Sequence, residues 1–161
     1  MKMTHTAALL LALGFTAARG AMAQTSTQTV TFEVDPINQI AVTGTPSLLI
    51  NAASAGNAPT SVTATGSSWA VTTNQSGAKV TASIASAMPT GVTLSVQLGA
   101  PSGATSAGLK ALGTTAVDVV TGITKLNASS LALTYQLDAT AAAGVVSSST
   151  RVVTYTVTGG V

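Results

Sequence analysis

The side chains that ordinarily carry catalysis or bind metals are nearly missing from this chain. There is no Cys, and the one His is His5. Beyond Ala23 the only charged residues are Lys79, Lys110, Lys125 and Arg151 against Glu33, Asp35, Asp118 and Asp138. A serine or cysteine nucleophile normally needs a neighbouring base, most often His, so acyl-transfer chemistry lacks its machinery. Glycoside hydrolysis needs two carboxylates. Glu33 and Asp35 stand two residues apart on one strand face, but Glu33 alternates with Val34, which turns it to solvent, and Asp35 ends its strand before Pro36. His/Cys metal sites are excluded after Ala23, Asp35, Asp118 and Asp138 form no acidic calcium loop, and the glycines make neither phosphate-binding pattern. The expectation is no enzyme, no cofactor and no metal.

The remaining special residues have structural readings. Trp69 is a conceivable sugar-stacking platform, but it shares a strand face with Val71 and is expected in the core. Lys79 and Lys110 alternate with aliphatic neighbours and point outward, away from the buried setting that an intramolecular Lys–Asn crosslink needs. Asn74-Gln75-Ser76 and Asn127-Ala128-Ser129 match the N-glycosylation acceptor pattern and fall in predicted turns. The rows of Thr suit the solvent face of strands, where β-branched polar residues belong.

The first residues read as an export signal. Lys2 precedes the apolar stretch 7–15, and Ala21-Met22-Ala23 is a small-residue cleavage site before Gln24. That order describes a secretory signal peptide over residues 1–23, and its apolar part is too short for a membrane-spanning helix. The predicted mature chain is therefore secreted, without membrane insertion. Losing Lys2 and Arg19 leaves four basic and four acidic residues, a formal charge of zero. Nucleic-acid binding has no basic surface to rest on, and a neutral surface lacks the repulsion that keeps copies of a protein apart. With no disulfide to staple it, the domain depends on sheet packing, its own or a neighbour's.

A period of two dominates the mature chain, which is the mark of strands with one buried face. It is clearest over residues 30–34, 92–98, 131–137 and 153–157, and weaker strands are expected over 39–42, 47–51, 61–65, 68–73, 78–84, 108–112 and 116–120. Residues 74–77 and 88–91 read as hairpin turns. Residues 52–59, 99–107 and 139–149 read as loops, with one helical turn at 139–143 stopped by Gly144. Short strands with regular turns predict an all-β fold, an immunoglobulin-like antiparallel β-sandwich over residues 35–161.

Three strands share one template: aliphatic, Thr, aromatic, polar, aliphatic. They are Val30-Thr31-Phe32-Glu33-Val34, Leu133-Thr134-Tyr135-Gln136-Leu137 and Val153-Thr154-Tyr155-Thr156-Val157. Composition and patterning make the mature chain resemble the subunits of prokaryotic surface fibres, pilin-like β-sandwich proteins. The resemblance implies a structural filament subunit in which an N-terminal extension, here residues 24–34, completes the sheet of the next copy. The chain departs from chaperone–usher subunits in lacking their cysteine pair and in the position of Tyr155. An extended segment gains main-chain bonds and side-chain pockets at an open sheet edge. Val30, Phe32 and Val34 would be the inter-subunit contacts, and head-to-tail self-association would produce a filament rather than a ring. The competing expectation is a monomeric adhesin or binding domain, its first strand paired in its own sheet and its loops making the contacts.

Overall fold

The computed structural model describes residues 22–160, so the predicted signal peptide lies almost wholly outside the described residues. Among the described residues, those from Val34 onward form a compact unit to which residues 22–33 do not belong. Residues 22–36 carry no regular secondary structure. The alternating stretch 30–34, predicted as a strand, has no strand assignment, and Val30, Phe32 and Val34 are 74%, 88% and 73% exposed.

The larger unit is all-β and antiparallel, as the period of two requires. One sheet has the order β1 (Asn38–Thr43), β2 (Val62–Thr73), β8 (Leu126–Ala139), β4 (Val92–Leu98), β6 (Lys110–Ala111). The other has the order β5 (Thr105–Ser106), β7 (Val117–Ile123), β3 (Ala78–Ile84), β9 (Val153–Thr158). The two share a single core. Trp69 and Val71 of β2, Val96 and Leu98 of β4 and Leu133 of β8 meet Val80 and Ile84 of β3 and Val119 and Ile123 of β7. Burying this apolar face is the main driving force for the fold.

Several predicted elements differ from those observed. The stretches 61–65 and 68–73 are one strand, β2, bent where its pairing with β8 shifts between Ala64 and Ser67 and again between Trp69 and Val71. Such bulges increase local twist and curl a sheet. Residues 47–51 form no strand, residues 108–112 retain only Lys110–Ala111, and the predicted loop 99–107 contains β5. The predicted hairpins at 74–77 and 88–91 are true chain reversals, but each joins strands of different sheets. Turn residues fix the reversal of the backbone. Which ladder the next strand enters is decided by packing.

The single helical turn is a 3₁₀ turn, Ala141–Ala143, ended by Gly144. It packs under Gly91, whose φ of +77° and contact with Thr140 leave no room for a side chain. For orientation, the lower pole of the unit is taken at the 74–77 turn and the upper pole at residues 88–91.

Candidate assembly edge and groove

The edges of a sheet are where further strands can pair. Two of the four edges here, β5 and β6, are two residues long and offer little to a partner strand. β9 is different. Its inward side chains Val153, Tyr155 and Val157 are only half-buried, whereas Ala78, Val80, Ala82 and Ile84 of the adjacent β3 are fully buried. The cause is positional: β3 lies between β7 and β9, and β9 has a hydrogen-bonded neighbour on one side only, with β1 of the other sheet close by. Unpaired N–H and C=O groups along such a strand are a template for further pairing.

A groove of about 1120 Å³ opens beside the upper end of β9. Strand lengths explain it. β2 and β8 span 12 and 14 residues, against 7 for β3, so the upper part of the five-stranded sheet has no opposing strand to cover it. Leu94 and Leu137 from that sheet, Tyr155 and Val153 from β9, and Leu48 and Met88 from loops form the apolar walls. Leu48 and Ile50 turn inward and Leu49 outward, so residues 47–51 keep the alternation of the predicted strand without its ladder.

The hydroxyls of Tyr135 (β8) and Tyr155 (β9) meet in this groove at 2.8 Å, with Tyr155 donating to Tyr135. Burial pushes the Tyr155 phenol well above its ordinary range, and its role as donor adds to the shift. Burial also raises Tyr135, while the hydrogen bond it accepts works the other way. Two of the three copies of the shared template thus face each other across the core, aromatic to aromatic.

The start of the β unit, residues 35–38, is held at the opposite pole. Asn74 accepts from the Ile37 N–H through Oδ1 at 2.7 Å and donates from Nδ2 to the Asp35 carbonyl at 2.8 Å. Asn38 donates to Gln75 Oε1 at 2.8 Å and accepts from the Thr73 hydroxyl at 2.7 Å. Gly159 and Gly160 pack against Gln75 and Ser76, so the end of β9 arrives at the same turn. Asn74, singled out in sequence as a glycosylation acceptor, is engaged in holding Asp35 and Ile37. Asn127 is exposed on β8 rather than in a turn.

The other sequence candidates are dispersed. Glu33 and Asp35 are exposed. Asp118 pairs with Lys79 at 2.9 Å on the surface of the four-stranded sheet. Asp138, on the far sheet, accepts from Gln136 and from the Ser61 hydroxyl. Trp69 is 1% exposed, and its indole N–H reaches the Gly99 carbonyl at 3.1 Å, which makes it a core residue with a satisfied donor. Among the described residues no three His, Cys, Asp or Glu side chains cluster, and no helix is long and apolar enough to cross a membrane. The Tyr pair and the groove were invisible to sequence reasoning, although the repeated template pointed at both tyrosines.

No protein-family model, curated protein or solved structure matches the chain.

Proposed function

We propose that the protein is a secreted structural subunit that builds an extracellular filament by adding its N-terminal segment, residues 24–34, to a sheet of the next copy. On this reading the two sheets form an immunoglobulin-like sandwich and Val30, Phe32 and Val34 are the contact residues. One observation carries it: the root of the segment is clamped at the lower pole by Asn74, while the apolar groove opens at the upper pole. A donor at one end and an acceptor at the other make a heterologous contact, which propagates instead of closing. The exposure of Val30, Phe32 and Val34 adds support, because three large apolar side chains in alternate positions are left without a core. A neutral mature surface offers little repulsion against stacking. The monomeric adhesin reading asks the same segment to pair in its own sheet, and neither sheet includes it.

The test is deletion of residues 24–34 followed by electron microscopy of the secreted material. Filaments from the full-length mature chain and none from the truncated one are expected. Intact filaments from the truncated protein overturn the reading.

A further inference from the structure

The geometry points to a specific acceptor: we infer that the segment adds antiparallel to the free edge of β9 in a second copy, with Phe32 opposite Tyr155. This register sets Val34 opposite Val153 and Val30 opposite Val157. The inference rests on the filament reading and goes further by fixing the edge, the direction and the register.

The edge follows from burial. β5 and β6 are too short, and β1 follows directly on the root of its own copy's segment, with Asn38 already tied to Thr73 and Gln75. β9 alone combines six residues, main-chain groups that pair only with β3 among the described residues, and three inward side chains half-open to solvent. β1 of the same copy comes close to it without sharing a ladder, so the strand to be added must take the flank beside β1.

The direction follows from the poles. β9 runs from Val153 at the upper pole, where it pairs with Ile84, to Thr158 at the lower, where it pairs with Lys79. A segment rooted at the lower pole of the copy stacked above enters at the upper pole and carries its N-terminus downward. Its chain direction is then opposite to that of β9, and antiparallel pairing is the slightly more stable kind. Folding back within one copy would run parallel to β9 instead.

The register follows from the template. Aliphatic-x-aromatic-x-aliphatic reads the same in both directions, so antiparallel pairing sets like against like only when Phe32 meets Tyr155. Cross-strand aromatic and aliphatic pairs are what stabilise a sheet. Phe32 brings no hydroxyl to compete with the Tyr135–Tyr155 bond. On the outer face Thr31 meets Thr156 and Glu33 meets Thr154.

The chain has no Cys, so engineered disulfides report contacts without background. A disulfide needs Cβ atoms about 4 Å apart, which directly opposed residues satisfy and diagonal ones do not. Two double variants sample alternate positions of the ladder: Thr31→Cys with Thr156→Cys, and Val34→Cys with Val153→Cys. Mild oxidation of filaments of at least one of them is expected to give a covalent ladder on a non-reducing gel. The yield should be at least tenfold above that of Thr31→Cys with Thr158→Cys or of Thr31→Cys with Thr43→Cys on β1. Filaments that crosslink through either control pair, or through no pair, overturn the inferred edge and register and leave the filament reading standing. A crosslinked monomer, or an unmodified mature chain that forms no filaments, sinks both.

Discussion

The Tyr155 hydroxyl donates to the Tyr135 hydroxyl at 2.8 Å, and this bond links the edge strand of one sheet to the central β8 of the other. Both rings also line the groove. The pair therefore belongs both to the core and to the wall of the groove.

Removing either hydroxyl leaves the other half-satisfied in a partly dry site. Tyr155→Phe and Tyr135→Phe are each expected to destabilise the fold by about 1–2 kcal/mol, with the double variant costing less than the sum of the two. Urea unfolding of the four proteins in a double-mutant cycle measures the coupling. Strict additivity means that the hydroxyls do not depend on each other.

The same pair gives a pH dependence at the alkaline end. Both phenols are raised above the ordinary value of 10.0. A raised phenol keeps its proton in the folded state while the unfolded chain loses it, so the unfolded state binds fewer protons above pH 10. Stability is then full below about pH 10 and falls as pH rises further. Tyr155→Phe is expected to flatten that fall. Unfolding midpoints measured between pH 8 and pH 11.5 check it, and identical slopes in both proteins contradict it.

Trp69 tests the core independently of the edge. Trp69→Ala is expected to cost about 3–5 kcal/mol through the cavity it leaves. Trp69→Phe is expected to cost less, about 1–3 kcal/mol, from lost volume and an unpaired Gly99 carbonyl. Because Trp69 is the only Trp, the red shift of its fluorescence on unfolding reports the wild-type transition directly. The variants are followed by circular dichroism.

Asn74 tests the clamp. Asn74→Ala removes the side-chain partners of the Ile37 N–H and the Asp35 carbonyl. A loss of about 1–2 kcal/mol in local stability is expected. Hydrogen exchange at Ile37 should accelerate roughly tenfold, while the amides of β3 and β7 stay protected. Unchanged exchange at Ile37 means that the Asn74 side chain does not hold the root.

How much of this was legible in the sequence depends on whether the signal was local. β4, β9 and the upper half of β8 were read from alternation, because a strand with one buried face writes its period into the chain. Trp69 was placed in the core by its shared face with Val71. Alternation is also present at residues 47–51, where no ladder forms, and at residues 30–34, which pair with no strand of the same copy. A pattern can specify which side chains turn inward; it cannot supply the ladder. β5 escaped because two residues are too few to show a period.

By itself, then, the sequence determined an all-β chain with almost no reactive side chains, a neutral predicted mature form and one template written three times. Tertiary structure decided what joins what. The turns at 74–77 and 88–91 send the chain across to the other sheet instead of back beside itself. The unequal lengths of β2 and β3 leave the groove uncovered, and the meeting of β8 with β9 brings Tyr135 to Tyr155. The physical reason is that strand periodicity and turn residues act over a few neighbours, whereas sheet membership, edge exposure and grooves are set by contacts between residues tens of positions apart.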